Sequence, residues 1–168
     1  LGCTPAAITR DAGVDVAVFG ATKNGCPGLE AVIFFDPAQA DGFAERRKRG
    51  GHLFSKHRYL AAQMAAYLTD DLWLDCARRA NAAAGRLRAG LEARGVPIAN
   101  GTQANMLFVH LPRRVQVSLQ DAGARFYPGA PLDAGDGDAV IPARLVCDWS
   151  TEGSAVDAFL AALDAAQA

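Results

Sequence analysis

The chain has 168 residues, of which 51% are hydrophobic and 21% charged, a composition typical of a soluble globular protein. Its formal net charge of -1 and pI near 6.3 exclude a general attraction to nucleic acid or to anionic membranes. No apolar run approaches the roughly 18 residues of a membrane helix. The four cysteines form no C-x-x-C pair, which favours a reduced, cytoplasmic protein.

The first predicted strand covers 14–20 and leads into Lys23 and an Asn-Gly turn signal. Ligands of open α/β sheets gather beyond the carboxyl ends of strands, where Lys23 falls. The chain has only three lysines against fourteen arginines, which makes this lysine unusual. Two interpretations remain open here. Lys23 extends into water as ordinary surface charge, or it is a partly desolvated nucleophile that forms a Schiff base with a carbonyl compound such as pyridoxal phosphate.

The next elements are a second buried strand at 29–35 and a helix that starts at Pro37 and ends at Gly50. Ser55 is the expected N-cap of a further helix. Thr69 is the expected N-cap of the longest helix, at about 70–94, which ends because Gly95 and a following proline stop it.

Shorter elements follow the long helix. The sequence predicts strands at 105–111, 124–127 and 143–147 and a helix at 115–122, with a loop rich in Pro, Gly and Asp between the last two strands. Thr151 is the expected N-cap of a final helix with an apolar stripe. This alternation predicts a small α/β layer domain.

A basic segment at 46–58 surrounds the glycine pair at 50–51. Three interpretations compete: a solvated helix face, a nucleic-acid patch, and a phosphate anchor in which glycines, Ser55 and cations converge at a helix start. The nucleic-acid interpretation is the weakest because stacking aromatic residues and a positive net charge are both missing from the sequence.

Arg144 interrupts an apolar strand, where an unpaired guanidinium is costly. It is either an arginine on the polar face of an edge strand or a fork that binds a carboxylate through two hydrogen bonds. His110 is interpreted as a structural histidine and Cys26 as a packed thiol. The sequence contains no Ser-His-Asp set and no metal-ligand cluster.

Taken together, several blocks carry a resemblance to one enzyme family: 13–16, 22–25, 30–32, 46–49, 51–53, 55–56, 66–74, 81–84, 104–105 and 126–127. They resemble the C-terminal half of low-specificity L-threonine aldolases, which include phenylserine aldolases. The resemblance implies the α/β fold of pyridoxal-phosphate-dependent transferases, fold type I. It also implies the C-terminal part of a cofactor-binding large domain at 1–69, an inter-domain helix at 70–94 and a small C-terminal α/β domain at 95–168.

The resemblance assigns roles to four residues. Lys23 corresponds to the lysine that forms a Schiff base with pyridoxal phosphate, and Arg144 to the arginine that binds the substrate carboxylate. Lys48 and Arg58 correspond to the cations that reach the cofactor phosphate, often from a neighbouring subunit. Cys147 and the aspartate after it stand where relatives tend to have hydroxyl or imidazole groups, which bears on substrate preference.

The implied reaction is retro-aldol cleavage of L-threonine or a related β-hydroxy-α-amino acid to glycine and an aldehyde. The residues that cover the cofactor in such enzymes precede the lysine segment, so we expect this chain alone to be incomplete and inactive. A homodimer or homotetramer is expected, without nucleic-acid or membrane partners. The catalytic base is expected outside the chain or to be a bound water. Other lyase or aminotransferase reactions of the same fold, and a catalytically inactive fragment, are the alternatives.

Overall fold

A computed structural model describes residues 2–99 and 101–168 of the chain. The chain divides into two compact units, the first extending to Trp73 and the second running from Leu74 to Ala168. The two units are built differently, because the first contains a single hairpin with short helices whereas the second contains a sheet covered by helices.

The first unit contains a two-stranded antiparallel sheet, in which β1 (Val16–Gly20) pairs with β2 (Glu30–Phe34). Both strands were predicted, but as buried strands, and this part of the prediction is wrong. Val18 is 67% exposed, and other valines and Ile33 on the hairpin are also exposed. The apolar sequence is therefore typical of a strand that is covered on both faces, while the described residues of this chain leave the hairpin partly open.

Short helices follow the hairpin. A 3-10 turn at Pro37–Ala40 precedes α1 (Phe43–Arg49), so the single helix predicted from Pro37 to Gly50 is interrupted. The interruption occurs at Gly42, whose φ of 71° lies in the left-handed region that glycine adopts without strain. The next helix, α2 (His57–Leu68), begins without a side-chain cap, so Ser55 does not have the predicted capping role.

The longest helix is α3 (Leu72–Glu92), close to the predicted 70–94. Thr69 does not cap it, because the Thr69 hydroxyl donates a hydrogen bond to the Ala65 carbonyl oxygen (2.8 Å) within the preceding helix. A 3-10 turn at Thr69–Asp71, with Asp70 at a φ of 50°, separates α2 from α3. The chain therefore turns sharply where the sequence predicts a simple capped helix start.

The second unit contains a three-stranded antiparallel sheet of β3 (Met106–Pro112), β4 (Tyr127–Pro128) and β5 (Val140–Val146). The strand order is β3-β5-β4, so β5 is the central strand. Alternate residues of β3 and β5 are buried, as expected for a sheet with one covered face. Arg144 therefore does not lie on an edge strand, contrary to one of the two sequence interpretations.

Helices cover the buried face of this sheet. α4 (Arg113–Asp121) follows β3, and α5 (Gly153–Gln167) ends the chain. The core joins side chains of α3, the sheet, α4 and α5, and its most buried members include Leu91, Leu107, Leu111, Leu119 and Leu163. Two ion pairs also reach α5: Arg86 of α3 pairs with Asp157, and Arg94, two residues after α3 ends, pairs with Asp164 (both 2.6 Å).

The start of α5 differs from its prediction. Glu152 occupies the N-cap position without a side-chain hydrogen bond, whereas the Thr151 hydroxyl bonds to the Asp148 carboxylate. Within residues 2–99 and 101–168, no helix combines the length and apolarity needed to cross a membrane. The same residues contain no group of three or more metal-ligating side chains.

Candidate functional site

Lys23 lies in the loop that joins β1 to β2, three residues after β1 ends. The base of this loop is closed by hydrogen bonds on both sides. The Ala21 N–H donates to the Leu29 carbonyl oxygen (3.0 Å), and the Leu29 N–H donates to the Thr22 hydroxyl (2.9 Å). The Lys23 side chain is exposed, so the partial desolvation predicted from the sequence is not provided by the described part of this chain.

The residue after the lysine anchors this loop to the helices of the same unit. The Asn24 side-chain amide donates one hydrogen bond to the Tyr67 hydroxyl and a second to the Trp73 carbonyl oxygen (2.9 Å). Tyr67 is only 3% exposed. The Phe19 ring lies 5.9 Å from the Tyr67 ring and 5.4 Å from the Trp73 ring, measured between centroids. The Lys23 loop is thus anchored to Tyr67 and Trp73, whose rings pack against the Phe19 ring.

The cationic residues predicted to reach a phosphate lie on the helices that follow. Lys48 belongs to the last turn of α1 and Arg58 to the first turn of α2, and both side chains are exposed. Neither forms an ion pair with the residues that the structure describes. Arg47, beside Lys48, has a buried Nε atom without a hydrogen-bond partner among those residues. This part of the first unit therefore offers unpaired positive charge to an anion.

Arg144 lies at the centre of the open face of the second unit's sheet. In the strand register it stands opposite Phe108 of β3 and Tyr127 of β4. Its guanidinium carbon lies 4.1 Å from the centroid of the Tyr127 ring. Its Nε atom is buried and has no hydrogen-bond partner among the described residues. The charge that the sequence places in this strand is thus stabilised by aromatic contact and not by a carboxylate of the described chain.

Two titratable residues follow β5. Burial raises the pKa of the Cys147 thiol, and the Asp148 carboxylate beside it raises this pKa further. Burial also raises the pKa of Asp148, but hydrogen bonds from Ser150 and Thr151 outweigh this effect, so the pKa of Asp148 is lowered overall. At neutral pH Cys147 is therefore a protonated, apolar thiol, and Asp148 is a carboxylate that holds the loop before α5.

Sequence reasoning gave no role to the neighbours that hold the candidate residues. Asn24 enters the sequence prediction only within a turn signal and a resemblance block, and Tyr127 only within a predicted strand and a resemblance block. The buried Nε of Arg47 was not distinguished from the rest of its basic run. A sequence signal existed for Asn24, because it directly follows the candidate lysine, but the contact between Arg144 and Tyr127 depends on strand pairing that local patterns do not specify.

Comparison with known proteins identifies relatives by sequence. The chain is 42% identical over 154 residues to the low-specificity L-threonine aldolase of Pseudomonas aeruginosa, which covers 90% of this chain and 42% of that protein. It is 39% identical over 158 residues to the low-specificity L-threonine aldolase of a Pseudomonas species, and this match covers 93% of this chain and 43% of that protein. The chain therefore spans less than half the length of the curated relatives it matches. No protein-family model matches it.

Solved structures agree with this comparison. The threonine aldolase of Leishmania major matches with a TM-score of 0.83 and 29% identity, covering 92% of this chain and 44% of that one. The serine palmitoyltransferase of Sphingomonas wittichii matches with a TM-score of 0.62 and 19% identity, and the match covers 93% of this chain and 40% of that one. A lysine-to-alanine variant of the serine palmitoyltransferase of S. paucimobilis with a bound pyridoxal phosphate–myriocin aldimine matches with a TM-score of 0.62 and 18% identity, and the match covers 91% of this chain and 39% of that one. At such low identity, the two transferases show the fold alone.

The fold is the mixed α/β fold of the pyridoxal-phosphate-dependent enzymes of fold type I, as the sequence predicted. Within that class, the chain is similar in sequence to low-specificity L-threonine aldolases, and the predicted resemblance is confirmed. The described residues fit such a cofactor. They include an accessible amine on an anchored loop, and unpaired cations that could bind a phosphate.

Proposed function

We propose that the protein containing this chain cleaves L-threonine or related β-hydroxy-α-amino acids to glycine and an aldehyde, with pyridoxal phosphate as cofactor. The observation that carries this proposal is the 42% identity to a low-specificity L-threonine aldolase over 90% of the chain. The accessible Lys23 and the Arg144 guanidinium, whose Nε has no hydrogen-bond partner among the described residues, support it, because a carbonyl cofactor needs an amine and an amino-acid substrate needs a carboxylate partner.

In this proposal Lys23 holds the cofactor through its amine. When bound, pyridoxal phosphate supplies an electron sink for the bond that is cleaved between Cα and Cβ of the substrate. Lys48 and Arg58 provide positive charge for the cofactor phosphate. Support for their role comes from their exposure and their lack of ion pairs with the described residues, together with the resemblance. The Asn24 anchor fixes the loop that carries the amine.

Arg144 binds the α-carboxylate of the substrate in this proposal. A guanidinium binds a carboxylate through two parallel hydrogen bonds, which fixes the orientation of the amino acid as well as its position. Fixing the carboxylate orients the Cα–Cβ bond for cleavage. The proton of the substrate β-hydroxyl goes to a base, which we assign to residues beyond this chain or to a bound water, as expected from the sequence.

We also propose that cleavage requires sequence beyond these 168 residues. The support is that the chain spans 42% and 43% of the two Pseudomonas enzymes and leaves Lys23 exposed. The domain assignment of 1–69, 70–94 and 95–168 belongs to this proposal, as do assembly into a homodimer or homotetramer and a cytoplasmic location. The four cysteines, all within the described residues, are free thiols, which agrees with a reducing compartment.

The proposal is tested by measuring glycine release from L-threonine and phenylserine by the longest polypeptide that contains this chain. We expect release by that polypeptide and none by the 168 residues alone.

Arg144→Ala should raise KM for the amino acid at least about tenfold while the cofactor stays bound, because a charged hydrogen-bonding pair is lost. Arg79→Ala, at an exposed arginine of α3, is the matched control and should leave KM unchanged.

Other products would overturn the proposal. Formation of a keto acid and ammonia from threonine would indicate β-elimination, and amino-group transfer to a keto acid would indicate an aminotransferase. Absence of any reaction in a polypeptide that binds the cofactor would favour the catalytically inactive alternative. If Arg144→Ala releases the cofactor and leaves KM unchanged, the carboxylate role of Arg144 is wrong.

A further inference from the structure

Tyr127 lies outside the hydrophobic core of the second unit. It is one of two residues of β4, and its side chain is 65% exposed on the open face of the sheet. An exposed aromatic ring on a very short edge strand adds little to the core. Its contact is instead with a charge, because its ring faces the guanidinium of Arg144 on the neighbouring central strand.

The geometry of Arg144 shows what this contact does. The guanidinium carbon is 4.1 Å from the ring centroid, within the range of a cation–π contact. The buried Nε atom has no hydrogen-bond partner among the described residues, so no such bond fixes the group at that atom. The ring face thus restricts the guanidinium from one side without using any of its N–H donors.

Resting on the carboxylate role proposed above for Arg144, we propose that Tyr127 is a positioning residue that holds the Arg144 guanidinium ready to receive the substrate carboxylate. A long arginine side chain otherwise loses rotational freedom when it binds, and this loss weakens binding. A ring that orders the guanidinium beforehand removes part of that cost. The ring acts through its face, so the phenol hydroxyl is not required.

The test is acetate binding to the Arg144 guanidinium of the 168-residue chain, followed through the backbone amide NMR signals of β5, which the Arg144→Ala variant also retains. Tyr127→Leu should raise the Kd for acetate at this group about fivefold, the change expected from losing one cation–π contact. Tyr127→Phe should restore the wild-type Kd because it retains the ring. Val146→Ala, on the same open face of β5, is the matched control and should have no effect. Tyr127→Thr replaces the leucine variant if that variant does not fold.

Each outcome has a distinct meaning. If Tyr127→Leu binds acetate as tightly as wild type while Arg144→Ala abolishes binding, the positioning role of Tyr127 is overturned and the carboxylate role of Arg144 survives. If Arg144→Ala leaves acetate binding unchanged, the carboxylate role itself fails, and the inference about Tyr127 fails with it. If Tyr127→Phe behaves like Tyr127→Leu, the ring face is not the operative feature and the inference is wrong.

Discussion

At the residue scale, the candidate amine and the residue that follows it have different tasks. Lys23 makes no hydrogen bond or ion pair with the described residues, whereas Asn24 donates two side-chain hydrogen bonds to other parts of the first unit. This division is consistent with the role proposed for Lys23, because an amine that holds a cofactor cannot also serve as an anchor. The position of Lys23 is therefore set by Asn24. The two hydrogen-bond partners of Asn24, Tyr67 and Trp73, both contact the Phe19 ring.

Asn24→Ala should destabilise the first unit by about 1–3 kcal/mol, because the Tyr67 hydroxyl and the Trp73 carbonyl each lose a partly buried donor. The measurement is urea unfolding of the variant and the wild type. Asn81→Ala is the matched control, since Asn81 is an exposed residue of α3, and it should change stability by no more than about 0.5 kcal/mol. Equal unfolding curves for the two variants would show that Asn24 does not anchor the loop.

At the element scale, the second unit depends on the inner face of α3. Leu91 is fully buried in this helix and belongs to the core of the second unit, while Leu72, at the start of the same helix, is 43% exposed. The apolar positions of a helix recur every three to four residues, so one face is buried and the other meets water. Leu91 is thus a core residue of α3, whereas Leu72 is a partly exposed residue of the same helix.

Leu91→Ala should lower the free energy of unfolding by about 2–5 kcal/mol, because truncation leaves a cavity in a closely packed core. Leu72→Ala, the matched control, should cost about 1 kcal/mol or less since much of its side chain already meets water. Chemical denaturation of the three proteins checks this pair. A loss for Leu91→Ala that did not exceed the loss for Leu72→Ala would contradict the assigned core.

Elements were predictable where the sequence repeats a strong pattern. The long helix and the strand at 105–111 follow from apolar periodicity, and both lie close to their predicted bounds. Helix starts were less predictable because capping depends on competing local bonds. Thr69 bonds back to Ala65, and Thr151 bonds to Asp148, so neither hydroxyl caps the helix that follows it. A sequence shows a candidate cap but not which partner its hydroxyl selects.

The candidate site was predictable in part, for a related reason. Lys23 is a reactive residue type at a strand end, and Arg144 is a charged residue inside an apolar strand. Both therefore stand out in the sequence. The partners of Arg144 come from strand pairing, which joins residues 17 positions apart at Tyr127 and 36 apart at Phe108. Local patterns carry no information on such pairing, so the aromatic contact could not be predicted from sequence alone.

At the scale of the whole molecule, the chain consists of two units that differ in how fully their apolar residues are covered. The second unit has a closed core, whereas the hairpin of the first exposes several β-branched side chains. Strand sequences of this kind are typical of sheets covered on both faces. We therefore expect the exposed hairpin and Lys23 to be covered in the enzyme that we propose, since its activity is proposed to require further sequence.

The most direct test of the account is to locate the cofactor on the chain. The protein is saturated with pyridoxal phosphate, reduced with borohydride so that the carbon–nitrogen double bond becomes a stable single bond, and mapped by peptide mass spectrometry. One equivalent of cofactor should be found on Lys23, with the other two lysines, Lys48 and Lys56, serving as internal controls. Attachment to Lys48 or Lys56 instead, or equally to all three, would contradict the assignment on which the proposed function rests.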